Sequence, residues 1–237
     1  KNEDIYVLEA NPRASRTVPF ISKAIGVPIA RIAARIMAGE KLKKFNLEKR
    51  ISNIFAIKEA VFPFNKFPNV DVLLGPEMKS TGEVMGIDEN FGLSFAKSQM
   101  ACGNELPISG TAFISVKNKD KKNALNFAKK LKELNFKLCA TSGTAKYLNS
   151  NGINCKKINK VREGSPHIVE SLNAKNIELV INTTEGTKSI SDSYSLRRSA
   201  LVNKIPYCTS LAAANACIEA INSLKNKKIT VKAIQEL

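Results

Sequence analysis

The start of the chain carries residues that could hold a metal ion and phosphate groups. Glu9 and Asn11 follow an apolar stretch, residues 5–8, that predicts a strand. The two-residue period of a strand puts Glu9 and Asn11 on one face, where a carboxylate and an amide oxygen suit Mg²⁺. Arg13 and Arg16 could then clamp phosphoryl oxygens. The alternative, from these residues alone, is a surface strand that ends in an ion pair.

A second group of polar residues follows the predicted strands of the C-terminal half, and no carboxylate stands among them. Ligands of open parallel sheets bind beyond the carboxyl ends of the strands, where helix N-termini offer free N–H groups. The group therefore predicts a site for an oxyanion such as phosphate, and favours binding without catalysis. Each hydroxyl or amide could instead be an ordinary helix N-cap. The residues are Ser115, Lys121, Thr141 to Thr144, Lys160, Asn182 to Thr184, Thr209 and Ser210.

The sequence has few of the residues that other common catalytic or cofactor sites require. His167 is the single histidine and the five cysteines form no CxxC pair, so neither a zinc site of ordinary type nor a Ser-His-Asp triad is indicated. There is no GxGxxG at the start of a helix and no GxxxxGK[ST], which leaves a dinucleotide fingerprint and a P-loop unsupported. An odd number of scattered cysteines indicates reduced thiols, and we expect a cytoplasmic protein.

The elements that must position the strand-end residues alternate between strands and helices from Gly110 onward. The predicted strands end near residues 116, 141, 160, 182 and 207, at spacings of about 20 to 25 residues, as successive βα units need. We therefore predict an α/β fold with a doubly wound, mainly parallel five-stranded sheet.

The residues before this region have a different pattern. Residues 1 to 103 hold six of the nine prolines. The pattern predicts an amphipathic helix over 28–37, a long irregular stretch over 62–86 and a second helix over 90–100. Residues 102–107 are typical of a linker.

The chain is strongly basic without the pattern of a nucleic-acid reader. Its 37 basic and 21 acidic side chains give a formal charge of +16, but 29 of the basic residues are lysines spread along the chain, and aromatics are only 6%. Such readers concentrate basic residues on one face and interleave stacking aromatics, so solvated lysines on helix faces are favoured. The apolar runs are too short to span a bilayer, and we expect neither a nucleic-acid nor a membrane partner. The chain begins without Met or a signal-peptide pattern, and we expect it to be the C-terminal piece of a longer protein.

Three segments of the N-terminal half closely resemble the large subunits of carbamoyl-phosphate synthetases. They are 9–20 (EANPRASRTVPF), 58–64 (KEAVFPF) and 74–86 (LGPEMKSTGEVMG). Shorter runs in the C-terminal half are similar to the same family in the same order, and the resemblance covers essentially all 237 residues. It implies the end of the second ATP-grasp unit followed by a domain with a methylglyoxal-synthase-like fold. We expect residues 1–103 to be the C-terminal part of the ATP-grasp unit and 104–237 to be an allosteric regulatory domain.

The resemblance also implies roles for individual residues. It makes Glu9 and Asn11 ligands of Mg²⁺ or Mn²⁺ beside ATP, and Arg13 and Arg16 the catalytic pair that contacts phosphate. It implies a pocket for a nucleoside monophosphate, UMP or IMP, formed by Ser115, Lys121, Thr141, Thr144, Lys160, Asn182 and Thr184. It implies an ornithine site formed by Glu59, Tyr207 and Thr209, together with acidic residues upstream of Lys1. Thr187 stands where related proteins often place a basic residue, which departs from the family pattern near the phosphate.

By the same resemblance, the parent enzyme makes carbamoyl phosphate from bicarbonate, ammonia released from glutamine, and two ATP, for pyrimidine and arginine biosynthesis. The implied partner is a glutaminase small subunit, and a homo-oligomer is allowed. We expect this chain alone to be inactive, and residues from about 104 to 237 to fold alone and bind a nucleotide. Two alternatives remain beside this interpretation: a stand-alone nucleotide-binding regulatory module, and a methylglyoxal-synthase-like enzyme, which would need a carboxylate at the phosphate site.

Overall fold

The computed structural model describes residues 5–7, 9–47, 53–66, 71–74 and 78–233. Its contacts divide the chain into two compact units, one of Lys1–Asn53 with Thr230–Leu237 and one of Ile54–Ile229. Leu8 and residues 67–70 and 75–77, on which parts of the predicted strand and irregular stretch fall, lie outside the described residues.

The first unit contains two short helices, α1 (Thr17–Ile25) and α2 (Ile29–Met37). The helix predicted over 28–37 is confirmed. α1 ends at Gly26, whose φ of 65° is left-handed and suits glycine. Residues 5–7 do not form the predicted strand, and they pair with no other strand among the described residues. A strand needs such a partner, because its backbone N–H and C=O groups would otherwise lack hydrogen bonds. Within the described ranges, no single helix is long and apolar enough to cross a membrane, and α1 with α2 reaches that length only as a pair bent by 113°.

The second unit begins with an antiparallel hairpin of β1 (Phe55–Val61) and β2 (Gly82–Asp88), followed by α3 (Phe91–Ala101). The prediction of an irregular stretch over 62–86 is therefore wrong at its end, where β2 starts. The glycines there suggested turns, but Gly86 has another reason to be glycine. A Cβ at Gly86 would overlap the Ser94 carbonyl oxygen of α3. Because glycine has no Cβ, α3 can lie directly on β2.

The rest of the unit is a five-stranded sheet in which every strand is parallel to its neighbours, and its order is β5-β4-β3-β6-β7. The strands are β3 (Thr111–Ser115), β4 (Lys137–Ala140), β5 (Lys156–Lys157), β6 (Leu179–Asn182) and β7 (Tyr207–Cys208). The helices are α4 (Lys121–Glu133), α5 (Ser142–Ser150), α6 (Ile168–Asn173), α7 (Thr187–Asp192), α8 (Tyr194–Val202) and α9 (Leu211–Asn226). The predicted parallel sheet is confirmed, and α7 is a helix that the sequence pattern did not predict.

Helices cover both faces of this sheet. Ala112 and Ile114 of β3 belong to a large apolar cluster shared with α4, α5 and α9. Phe113 points the other way, into a smaller cluster with α6 and α8. The two-residue period of a strand produces this division, because successive side chains point to opposite faces. The predicted doubly wound arrangement is confirmed.

The predicted boundary between residues 103 and 104 lies inside the second compact unit. The reason is that α3 packs against α9: the Ser223 hydroxyl donates to Asn90 Oδ1 at 2.8 Å. Gly92 of α3 has no side chain at this contact, and a Cβ there would lie 2.6 Å from the Glu219 carbonyl oxygen. The hairpin and α3 therefore pack with the parallel sheet, and the assignment of 1–103 and 104–237 to two domains stays a prediction.

Candidate functional site

The carboxyl ends of β3, β4 and β6 open into a cavity of about 610 Å³. β3 is the central strand, with β4 on one side and β6 on the other, so the cavity lies where the strand order reverses and where open parallel sheets bind their ligands. Six of the seven residues predicted for the nucleotide pocket line it, and Thr184 does not. The six are Ser115, Lys121, Thr141, Thr144, Lys160 and Asn182.

One end of the cavity is arranged to hold an anion. α5 begins there, and the N–H groups of its first turn, at Ser142 and Gly143, have no acceptor within the helix. Lys121 Nζ stands 3.5 Å from the place where a Cβ on Gly143 would be, so the ammonium group lies against this turn. An ammonium group and a helix N-terminus at one point together favour a negatively charged ligand.

Hydroxyl groups form the wall between β3 and α5. The Thr144 hydroxyl accepts from the Val116 N–H at 3.3 Å, which leaves its hydrogen for a ligand. The Thr141 hydroxyl donates to Ser115 Oγ at 3.3 Å and makes no capping bond to α5. The N-cap alternative is therefore wrong for Thr141. It is right for Ser210, whose hydroxyl accepts from the Ala213 N–H at 3.2 Å at the start of α9.

The cavity is also lined by three carboxylates, and this corrects the prediction that no carboxylate stands at the site. They are Glu163, Glu185 and Asp192. They come from the segments after β5 and β6 and from the end of α7, and not from the strand ends themselves. An argument restricted to strand ends therefore missed them, and the lack of a carboxylate no longer argues against a methylglyoxal-synthase-like reaction.

Each of these carboxylates faces a cation or an N–H group. Glu185 Oε1 lies 2.5 Å from Lys119 Nζ, and this ammonium lowers the pKa of Glu185. Asp192 Oδ1 lies 2.8 Å from Arg162 Nη2, and Glu163 Oε2 accepts from the Lys160 N–H at 3.1 Å. A lowered pKa makes Glu185 a weaker base.

Two buried polar side chains on the β6 side of the parallel sheet, Asn182 and Arg197, make hydrogen bonds. Asn182 at the end of β6 is buried, and its Nδ2 donates to the Tyr207 hydroxyl at 2.6 Å. Arg197 of α8 holds Asp71 through two bonds, Nε to Oδ1 at 3.0 Å and Nη2 to Oδ2 at 2.6 Å. Burial raises the pKa of Tyr207 to about 12, so the hydroxyl stays neutral at pH 7.

The three residues predicted for ornithine lie in or next to two elements, β7 and β1. Tyr207 is in β7, and Thr209 follows it at the exposed end of that strand. Glu59 is in β1. Burial raises the pKa of its carboxyl group, and this effect is larger than the lowering caused by a hydrogen bond with Gln99. The Asn182–Tyr207 bond joins this group of residues to the nucleotide group. The ornithine role of the three residues stays a prediction.

The residues predicted to hold a metal lie in the first unit, on an exposed segment before α1. Asn11 Nδ2 donates to Glu9 Oε1 at 3.1 Å, so the two side chains reach a common point, as two ligands of one ion must. Oxygen donors of this kind fit Mg²⁺ or Mn²⁺, and phosphate oxygens and water complete such sites. Arg13 and Arg16 are also exposed, and Arg16 directly precedes α1. In the described part of the chain no cluster of three or more His, Cys, Asp or Glu could hold a metal.

The strand-end pattern included Thr183, whereas the pocket implied by the resemblance left it out. Thr183 lines the cavity, and its hydroxyl accepts from the Lys117 N–H at 3.2 Å, whereas the predicted Thr184 does not line it. Thr183 and the residue before it both line the cavity, so the polar run was a correct signal, but the two-residue period of a strand did not select its members. Glu185, in the segment after β6, and Asp192, at the end of α7, were missed because neither stands at a strand end.

Two family models match the chain. The model described as "MGS-like domain" matches residues 123–209, which include Thr141, Thr144 and Asn182 of the cavity. The model described as "Carbamoyl-phosphate synthase L chain, ATP binding domain" matches residues 1–45, which include Glu9 and Asn11. Among solved structures, a methylglyoxal synthase from Elizabethkingia anophelis NUHP1 is 19% identical, with 48% of this chain and 79% of that chain covered and a TM-score of 0.41.

Curated relatives match over the full length of the chain. The carbamoyl phosphate synthase large chain of Mesorhizobium japonicum is 54% identical over 100% of this chain and 21% of that protein. The large chain of Methanobrevibacter smithii is 54% identical over 99% of this chain and 22% of that protein. The large chain, C-terminal section, of Methanopyrus kandleri is 50% identical over 100% of this chain and 45% of that protein. The chain thus spans less than half the length of each of these relatives, and over its own whole length it belongs to the family of carbamoyl phosphate synthase large chains.

Proposed function

We propose that the chain is part of a cytoplasmic, ATP-dependent carbamoyl phosphate synthase. The whole enzyme would make carbamoyl phosphate from bicarbonate, ammonia and two ATP, for pyrimidine and arginine biosynthesis, and a glutaminase small subunit would supply the ammonia. Identities of 50% to 54% with large chains over this whole chain support the assignment. The five free thiols agree with a reducing compartment.

Within that enzyme, the cavity of the parallel sheet binds a nucleoside monophosphate, UMP or IMP, without hydrolysing it. The observation that carries this proposal is the Lys121 ammonium lying against the first turn of α5. β4 and β6 flank β3, so the strand end that leads into α5 and the strand end that carries Asn182 are separated by two strand spacings, roughly 9.5 Å. A phosphate alone does not span that distance, whereas a nucleoside monophosphate does. The cavity volume of about 610 Å³ is within the range of small-molecule sites.

The first unit would contribute to the ATP site. Glu9 and Asn11 would hold Mg²⁺ or Mn²⁺, and the bound ion would neutralise and orient the phosphates of ATP. Arg13 and Arg16 would supply the cationic groups for phosphoryl oxygens. Glu59, Tyr207 and Thr209 would contribute to ornithine binding. By itself the 237-residue chain is proposed to make no carbamoyl phosphate, because it corresponds to less than half of its relatives.

Calorimetry with UMP and IMP on the 237-residue chain tests the nucleotide site. Thr144→Ala removes a hydroxyl that is buried and aligned by Val116, a hydrogen bond to a charged group worth about 1.5 to 3 kcal/mol. We expect the affinity to fall roughly tenfold or more. Ser150→Ala, on an exposed residue at the other end of α5, should leave it unchanged. The assignment is wrong if neither nucleotide binds the unaltered chain at millimolar concentration, or if Thr144→Ala has no effect.

A further inference from the structure

We propose that the connection between β1 and β2 fixes one wall of the nucleotide cavity, with Asp71 and Arg197 as the positioning residues. Asp71 lies in that connection and Arg197 lies in α8. The inference rests on the proposed nucleotide site, and it adds residues outside the cavity on which the affinity of that site depends. The junction wall is formed by the four cavity residues of α7, α8 and the residue between them: Ser189, Asp192, Ser193 and Leu196.

Polar bonds, and not the apolar core, hold α7 in place. None of its described residues belongs to either apolar cluster of the sheet, whereas Leu196 and Ala200 of α8 do. A helix of six residues is also too short to be stable by itself. Hydrogen bonds and ion pairs therefore decide where the C-terminal end of α7 lies.

The Arg197 side chain provides one of these bonds. Its Nη1 donates to the Ile190 carbonyl at 2.9 Å, and the same carbonyl accepts from the Ser193 N–H at 3.2 Å. Ile190 belongs to the last turn of α7, where carbonyls lack partners within the helix and a cation is favourable. Ile190 stands between Ser189 and Asp192, which both line the cavity. The bond therefore fixes the backbone that carries part of the junction wall.

Asp71 determines where Nη1 of Arg197 points. The Arg197 side chain is only 3% exposed although it carries a full charge, so it needs a counter-charge. Asp71 binds the Nε and Nη2 edge of the guanidinium with both carboxylate oxygens, at 3.0 Å and 2.6 Å. Because a guanidinium is planar, a bidentate partner on one edge fixes the direction of the remaining nitrogen.

The connection that carries Asp71 is itself anchored. Phe64 of this connection is buried, and the short 3₁₀ helix Phe64–Lys66 packs against α8. Asp71 Oδ1, which accepts from Arg197, also accepts from the Leu73 N–H at 3.3 Å. The carboxylate is thus tied to its own backbone, and the Leu73 amide reports whether the pair is intact.

The effect should be confined to ligands that reach the junction wall. The wall follows β6, whereas the first turn of α5 follows β4, and these strands are separated by two strand spacings, roughly 9.5 Å. A nucleoside monophosphate held at α5 by its phosphate extends toward the wall, and inorganic phosphate does not. Loosening the wall should therefore weaken the nucleotide and spare phosphate, whereas a general loss of structure would weaken both.

The first test is calorimetry of the 237-residue chain with UMP, IMP and inorganic phosphate. Asp71→Asn keeps the shape of the side chain and removes the counter-charge. Arg197→Lys keeps the charge but replaces the fork with a single nitrogen. We expect each variant to weaken the better-binding nucleotide about three- to tenfold and to leave phosphate within about twofold. Ser199→Ala removes a different hydrogen bond of α8, to Asn173 Oδ1 at 2.6 Å, and should change neither affinity.

The second test is hydrogen exchange of the Leu73 amide, because coupling between two sites is reciprocal. Saturating nucleotide should slow this exchange by about the same three- to tenfold, and inorganic phosphate should leave it unchanged. In Asp71→Asn the slowing by nucleotide should be absent. An ion pair with a purely structural role would protect the amide equally with and without nucleotide.

Three outcomes overturn the inference. They are a nucleotide affinity that is unchanged in both variants, a phosphate affinity that falls as far as the nucleotide affinity, and a Leu73 exchange rate that nucleotide does not slow. Circular dichroism checks that each variant is folded, and exchange in the unaltered chain decides the matter if neither variant folds. A chain that binds no nucleotide overturns the proposed function as well, whereas equal nucleotide binding by all variants overturns this inference alone.

Discussion

At the scale of single residues, exposure decides how much an ion pair contributes. Asp88, at the end of β2, has a side chain only 14% exposed, and its Oδ2 lies 2.7 Å from Lys97 Nζ. Its other oxygen accepts from the Asn90 N–H at 2.9 Å. Burial by itself would raise the pKa of Asp88, but the bonds from Lys97 and Asn90 outweigh it, so the pKa is lowered. The carboxylate thus stabilises the turn from β2 to α3 in its charged form.

Asp88→Asn should therefore destabilise the protein in a pH-dependent way. At pH 7 we expect the free energy of unfolding to fall by about 1.5 to 3 kcal/mol, because a charged, mostly buried hydrogen-bond acceptor is lost. The folded-state pKa is below the unfolded value of about 3.9, so the contribution is full well above pH 4 and is lost as the pH falls through the folded pKa. Urea unfolding followed by circular dichroism at pH 7, 5 and 3 measures the difference.

Glu83→Gln is the matched control for that measurement. Glu83 pairs with Lys58 at 2.9 Å, but both side chains are 28% exposed. More exposed ion pairs contribute about 0 to 1 kcal/mol, so the change at pH 7 should be smaller than for Asp88→Asn. An Asp88→Asn effect that stays equal from pH 7 to pH 3 would show that the charge is not its cause.

At the scale of elements, close approach between backbones decides where glycine is required. Gly86 and Gly82 both lie in β2, four residues apart. A Cβ at Gly86 would overlap the Ser94 carbonyl oxygen and would lie 2.7 Å from the Ser98 nitrogen, whereas a Cβ at Gly82 would have no neighbour within 4 Å. Backbone atoms of a helix cannot move aside as a flexible side chain can. The contact of α3 with the hairpin therefore requires glycine at position 86 but not at position 82.

The two glycines provide a paired prediction. Gly86→Ala should lower the free energy of unfolding by about 3 kcal/mol, because the helix must shift away from the strand. Gly82→Ala should change it by less than about 1 kcal/mol, with either sign, since the new methyl group meets nothing. Thermal and urea unfolding of the two variants compares them directly. Equal destabilisation would mean that α3 does not lie on β2 as described.

At the scale of the whole molecule, the hairpin and α3 pack with the parallel sheet in one compact unit. Asn90 caps α3 by accepting from the Leu93 N–H at 2.9 Å, and it accepts from Ser223 of α9 as well. Phe95 of α3 packs against the same apolar cluster as α4 and α9. Cutting the chain at residue 104 would expose the α9 surface that α3 covers.

Two fragments test whether the stable unit begins at residue 54, as the packing indicates, or at residue 104, as predicted from the sequence. We expect residues 54–229 to unfold cooperatively and to bind nucleotide as the whole chain does. Residues 104–229 should be less stable by about 3 kcal/mol or more, because they lose the apolar contacts of a whole helix. Urea unfolding of both fragments decides the matter. Equal stability would favour the boundary at residue 104.

The sequence alone determined the features that depend on residues close together along the chain. The two-residue period of β3 and the spacing of the βα units were enough to predict the parallel sheet. The polar run at 182–184 marked one end of the cavity. These signals are local, because a strand or a helix is defined by its own few residues. The motifs at 9–20, 58–64 and 74–86 sufficed for the family in the same way.

Only the tertiary structure decided which distant residues meet. Asp71 and Arg197 are 126 positions apart, and Asn90 and Ser223 are 133 apart, so no periodicity relates them. The same holds for Glu185, in the segment after β6, and Asp192, at the end of α7, which strand-end reasoning left out. A charged or polar side chain is equally compatible with solvent and with a buried partner until the fold supplies that partner. For this reason the strand-end residues that line the cavity were predictable from the sequence, and the buried Asp71–Arg197 pair was not.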